Sequence, residues 1–386
     1  MKISIANAVV LFLLCYFVDN SPYSFLCDAT LGQHIDQLKQ AISPTNEEIP
    51  DELLFVNVAY DRELAEIKDE FGFPKGNIDI TDRTKLLNFL SQLKDSDYRY
   101  IILDVSFSDK YSTPQDSALF NTIAGMKNIV VAKSDEFELA DPILLEKACY
   151  TDYSYHILEN NFVKYEFIRN GEPTIPYKMF MDLYGNSISS FAGFYFFNGK
   201  LASKSVVLRF PITLWNRVTS NSDDREIGKL NYYNLGSDIL DLGVDVPSLA
   251  KEKIVVIGDY TENDMHDTYM GPIAGPVINV NAFYALVNDD LSIPYLEIIF
   301  LLILYFAISL YLLKEIDISK YIPRVKKIKS ATFHFVFSLI GLSFVLTFIA
   351  LIWYIIWGID INILIPSLYF SLFGLIIKFR KSISKS

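Results

Sequence analysis

Four apolar runs constrain this chain more than any motif does, because about 20 consecutive apolar residues must be buried in lipid or in a protein interior. One opens the chain, Ile3–Val18, and three close it: Tyr295–Leu313, Phe333–Trp357 and Ile361–Phe379. Between them lies a mixed, acidic segment of roughly 275 residues. This pattern predicts four transmembrane helices around one large body that folds in water.

Charge predicts how the body is oriented. The net charge is −12, but from Pro294 onward ten Lys/Arg stand against four Asp/Glu, and Lys2 adds one more cation, leaving about −19 on the polar segment. The connection between the second and third runs holds Lys314, Lys320, Arg324, Lys326, Lys327 and Lys329, and the tail holds Arg380, Lys381 and Lys385. Gly358–Asp360, between the last two runs, has no cation. Short basic loops stay on the cytoplasmic side. Both termini are therefore expected in the cytoplasm and the acidic body outside. So acidic a surface excludes nucleic acid as a partner class; the lipid bilayer is the partner of the apolar runs.

The first run reads either as a signal anchor or as a signal peptide. It lacks a small-x-small cleavage site, which favours an uncleaved anchor over residues 1–18. Residues 19–50 read as a juxtamembrane amphipathic helix (Ile35, Leu38, Ile42) and a linker, 51–293 as the outer domain, 294–379 as three helices with a basic loop at 314–332, and 380–386 as a tail. Cys27 and Cys149 fall on the oxidising side, as one disulfide or as two unrelated buried thiols.

Within the body, Leu53–Ala59, Tyr100–Val105 and Asn128–Ala132 read as buried strands, with helices at Thr81–Leu93, capped by Asp82, and at Asp116–Met126. Lys253–Asp259 is a further strand, followed by a strand at Val277–Val280 and a helix, Asn281–Val287, with Asn281 as its cap. Strand–helix alternation predicts an α/β extracytoplasmic domain with a mostly parallel or mixed sheet and flanking helices. The middle is less regular. Strand-like pieces lie at Phe162–Arg169 and Val206–Phe210, a helix at Tyr177–Tyr184 and an exposed loop at Thr219–Glu226; the aromatic cluster Phe191–Phe197 is expected to pack as core or hairpin.

The densest polar constellation is IGDYTENDMHDTYMGPIAGP, where Asp259, Asp264, His266 and Asp267 fall within nine positions beyond a strand. Ligands of open α/β sheets bind at the carboxyl ends of strands, and Asp104 ends another one. Candidate ligand-binding residues are thus Asp104, Asp259, Asp264, His266, Asp267 and Asn281. Their spacing matches no metal motif, and no nucleophile elbow, Walker A loop or dinucleotide fingerprint is present, so neither a metal, a cofactor nor a catalytic residue is expected.

Taken together, LLFVNVAYDREL, RTKLLNFLSQLKDSDYRYIILDVSFSD and KIVVIGDYTENDMHDTYMGPIAGPVINVNAFYAL, followed by the terminal apolar runs, resemble the CHASE2 family of extracytoplasmic sensor domains. The resemblance covers most of residues 50–313. It implies an input module held between one N-terminal and three C-terminal helices, with polar family positions at Asp104, Asp264, His266, Asp267 and Asn281. Members usually carry a cytoplasmic kinase or cyclase, whereas here only a short tail follows the last run. The expectation is a non-catalytic membrane sensor or scaffold that binds an extracytoplasmic ligand or protein and signals through a membrane-embedded or cytoplasmic partner, with homo-oligomers open. The rival readings are a structural or assembly subunit of an envelope complex and a metal-dependent hydrolase using Asp264, His266 and Asp267.

Overall fold

A computed structural model describes residues 1–21, 35, 37–38, 50–68, 71, 73–135, 138–151, 162–212, 232–261, 263–314, 331–357 and 361–385. Most of the juxtamembrane segment, the loop at 219–226, the basic loop beyond Lys314 and Cys27 lie outside these residues. Cys149 is a buried free thiol, and its burial pushes its pKa up to about 12.

In chain order the elements are α1 (Lys2–Asp19), β1 (Leu53–Asn57), β2 (Arg62–Lys68), β3 (Pro74–Thr81), α2 (Arg83–Leu93), β4 (Tyr100–Leu103), α3 (Asp116–Gly125), β5 (Ile129–Lys133) and β6 (Ala148–Tyr150). Then come β7 (Lys164–Glu166), β8 (Ile168–Arg169), β9 (Glu172–Pro173), α4 (Ile175–Tyr184), β10 (Ser189–Phe191), β11 (Phe194–Phe197), β12 (Lys200–Ala202), β13 (Ser205–Val207) and β14 (Tyr233–Asn234). A π-helical turn, α5 (Val246–Ala250), β15 (Ile254–Gly258), β16 (Met265–Thr268), β17 (Gly271–Ala274), α6 (Gly275–Val287), α7 (Tyr295–Leu313), α8 (Ala331–Trp357) and α9 (Leu364–Lys385) complete the described chain.

The main sheet runs β14-β1-β15-β4-β5-β6, and every neighbouring pair in it is parallel. Its strands read as unbroken apolar runs because both faces are covered. Ile254 and Val256 of β15 join one cluster with α4 and α6; Val255 and Ile257 join another with α2, α3 and α5. Asp82 accepts from Lys85 N at 3.0 Å and so caps α2 as expected.

Two readings need correcting. Val277–Val280 is not a strand and Asn281 does not cap a helix: α6 is continuous from Gly275, with Pro276 in its first turn. This helix is buried on almost every side, so it has no polar face to reveal its period, and its Val-Ile-Val run imitates a strand. The second concerns the membrane part. Among the described residues three helices, α1, α7 and α8, are long and apolar enough to cross a bilayer; the apolar part of α9 is Leu364–Ile377. Asn362 Oδ1 accepts from Ile365 N at 3.1 Å and starts α9 late, while Lys378, Arg380 and Lys381 follow the apolar part. Fourteen helical residues rise about 21 Å, short of the roughly 30 Å of hydrocarbon.

The four helices nevertheless share a core, with Leu11, Tyr305, Leu346, Trp353 and Phe370 buried among them. Asn7 ties three together: its Nδ2 donates to Ser309 Oγ at 2.9 Å, and its Oδ1 accepts from Tyr369 Oη at 3.0 Å. Replacing Asn7 with Leu removes both bonds. About 1 kcal/mol should be lost from the bundle, since hydrogen bonds between membrane helices are worth about that much. Unfolding of purified protein by SDS titration measures this; an unchanged midpoint would show that the bonds contribute nothing.

Candidate functional site

The polar centre lies just beyond the carboxyl ends of β4 and β15. Asp104 follows Leu103, the last residue of β4, and its Oδ2 accepts from Asn279 Nδ2 at 2.9 Å. Asn279 comes from α6, and its Oδ1 accepts from Tyr165 Oη of β7 at 2.7 Å. Asp264 enters from the loop after β15. Its carbonyl accepts from Gly275 N at 2.8 Å, and its carboxylate packs so closely on Gly275 that a Cβ there would lie 2.4 Å from Oδ2. His266 Nε2 is 3.2 Å from Asp264 Oδ1. Tyr260, stacked on Tyr232 and edge-on to Phe55, forms the wall and donates to Val256 O at 2.8 Å.

Electrostatics makes this a strained neighbourhood. The Asp104 pKa is held well above the usual carboxylate range, by burial first and then by the charge of Asp264, with the Asn279 bond opposing. Burial, and then the same two carboxylates, raises the Tyr260 phenol as well. Two carboxylates and one imidazole can accept or hold protons and hydrogen-bond a solute.

The candidates separate into two sets. Asp104, Asp264 and His266 come together, whereas Asp259, Asp267 and Asn281 do not. Asp259 is saturated: it pairs with Arg62 Nη2 at 2.6 Å, accepts from Thr261 N and Oγ1 at 2.8 and 2.9 Å, and accepts from Asn263 at 3.0 Å. Asp267 neighbours His266 on β16 and is exposed, so the alternation of a strand sends it to the other face. Asn281 is buried in α6 and anchors Ile212 through both backbone groups, at 3.1 and 2.9 Å. Among the described residues no three His, Cys, Asp or Glu side chains converge as a metal-binding set.

Sequence reasoning missed Asn279, Tyr165 and Tyr260. Asn279 carried a signal, since an amide amid Val-Ile-Val needs a buried partner. Tyr165 carried none, being one aromatic among many.

A second cluster joins the domain to the apolar helices. Tyr16, near the end of α1, donates through Oη to Ala202 O at 3.0 Å and accepts from Tyr195 N at 2.7 Å, and its ring stacks on Phe194 with centroids 5.3 Å apart. Asn20 Oδ1 accepts from Lys204 N at 2.8 Å and from Ser203 Oγ at 3.0 Å. On the other side, Ser203 N donates to Leu291 O and Ile293 N to Leu201 O, at 3.0 and 2.8 Å. The β10–β12 meander is thus gripped between the end of α1 and the entry to α7. The aromatic run Phe191–Phe197 does form this hairpin, with Phe197 fully buried and Phe191 exposed.

The model of the CHASE2 domain family matches residues 10–313. That span takes in the whole α/β domain, most of α1 and all of α7. The chain belongs to the CHASE2 family. CHASE2 domains are a family of extracytoplasmic sensor domains, and the parallel α/β core lies within the matched span. No curated protein and no solved structure matches it significantly. The matched span includes the end of α1 and the whole of α7, the two places at which the meander is gripped.

Proposed function

We propose that this protein is a non-catalytic receptor of a bacterial cytoplasmic membrane. Its CHASE2 domain lies outside, and a solute or protein engages the crevice around Asp104, Asp264 and His266. The response leaves through the membrane helices to a separate membrane-embedded or cytoplasmic partner. One observation carries the reading: the end of α1 is hydrogen-bonded into the domain through Tyr16 and Asn20, against the same meander that meets the start of α7. A domain merely displayed on a stalk has no use for such a fit. Here a change in the domain alters the relation of two membrane helices directly, as a receptor requires.

Labelling tests the arrangement. Ser117→Cys, on the exposed face of α3, should react with a membrane-impermeant maleimide in intact cells, whereas Lys314→Cys, just after α7, should react only after permeabilisation. The parent chain supplies the background from its native cysteines. Shielding of Ser117→Cys in intact cells would overturn the receptor reading.

A further inference from the structure

Strand β7 connects the polar centre to the membrane helices across the width of one residue. Tyr165 is fully buried, and its hydroxyl reaches Asn279 and, through it, Asp104. Neighbouring side chains of a strand leave on opposite faces, and Lys164 makes its contacts on the far side. Its Nζ donates to the carbonyl of Asp19 and, at 3.2 Å, to that of Ser21. Ser205 of the partner strand β13 reaches the same Asp19 carbonyl at 3.4 Å. Asp19 Oδ1 in turn accepts from Asn362 Nδ2 at 3.1 Å, and Asn362 also caps α9.

The contacts therefore run without a gap from Asp104 through Asn279 and Tyr165, across β7, and through Lys164 and Asp19 to Asn362. Among the described residues β7 pairs with β13 and stands apart from the six-stranded sheet, so a shift of this two-stranded unit breaks no hydrogen bond of the main ladder.

We infer that β7 is a transmission strand: a change of contact at Asp104 displaces Tyr165, and Lys164 carries the displacement to the outer ends of α1 and α9. The purpose of the relay rests on the receptor reading, but its mechanics do not, and no ligand is needed to test them. The probe is disulfide formation between Asp19→Cys and Asn362→Cys in membranes holding the full chain, under a mild oxidant, with Asp19→Cys alone as background. Adding Tyr165→Phe, which keeps the ring and removes one hydroxyl, should change the cross-linking rate at least about 3-fold, the scale of coupling through packed networks. Asn279→Leu should do the same. Tyr98→Phe removes a hydroxyl that bonds Lys127 O instead and should leave the rate unchanged.

Equal rates for Tyr165→Phe and Tyr98→Phe would overturn the relay, and Tyr165→Phe decides the matter even if Asn279→Leu fails to fold. That failure would leave the labelling result above untouched. Conversely, a shielded Ser117→Cys beside an altered cross-linking rate would sink the receptor reading and keep the relay.

Discussion

Alanine at Gly258 should lower the melting temperature of the purified protein by about 6–12 °C, and Pro276→Ala in the same chain should restore most of the loss. Gly258 ends β15, one of the two central strands of the parallel sheet, and pairs with Asn57. A Cβ there would sit 2.4 Å from Pro276 Cγ and 3.3 Å from the Asp104 carbonyl. Neither neighbour is a flexible tip, since one is a ring in the first turn of α6 and the other is backbone. Overpacking of this kind costs about 3 kcal/mol, which in a domain of this size is the stated shift. Pro276→Ala removes the Cγ and, by itself, should cost less than about 1 kcal/mol. The pair must therefore be strongly non-additive. If the two losses simply add, the close approach is not what requires glycine at this position.

The second large effect is a change in pH dependence. Burial and the Asp264 charge raise the pKa of Asp104 in the folded chain, so the native state binds that proton more tightly than the unfolded state does. The associated stability is fully present below the unfolded value of about 3.9. It is lost as pH rises through the folded value, at no more than about 1.4 kcal/mol per pH unit for a single proton. Asp104→Asn has no proton to lose and still offers Asn279 an oxygen. Its melting curve should therefore coincide with the parent's near pH 4 and lie increasingly above it as pH rises towards 8. Asp264→Asn, which removes the second-ranked cause and leaves the burial, should flatten the parent's slope only in part. Parallel curves for Asp104→Asn and the parent across that range would show that Asp104 carries no such burden.

Most of the α/β frame was legible because its signals are local. β-branched runs marked β1, β4, β5 and β15, Asp82 announced α2, and the strand–helix alternation implied a parallel sheet. What failed had no local signature. α6 lost its period when its environment became apolar all round. The β2–β3 hairpin, Arg62–Thr81, went unread because its outward positions carry Leu64 as well as Glu66, Asn77 and Asp79. At the site, the loop after β15 stood out by its density of carboxylates, but that density does not show which of them share a neighbourhood. Asp259 serves the loop itself and an ion pair with Arg62, and Asp267 faces away. Gly258 and Gly275 are each needed for a close approach, to Pro276 and to the Asp264 carboxylate respectively. Such distances belong to the tertiary arrangement and leave no trace in residue order.

The strand order also governs how the molecule is made. Leu53 of β1 pairs with Ile254 of β15, and β15 pairs with Tyr100–Leu103 of β4. The central ladder and one beside it both wait for a strand synthesised roughly 200 residues after β1. Until β14 and β15 emerge, β1 has no partner strand, and the nascent β4-β5-β6 unit offers an open apolar edge, the kind of surface that aggregates or attracts proteases. Closure of so non-local a sheet is slow. Biogenesis must therefore shelter a half-built sheet for most of the time that the ribosome spends on the domain.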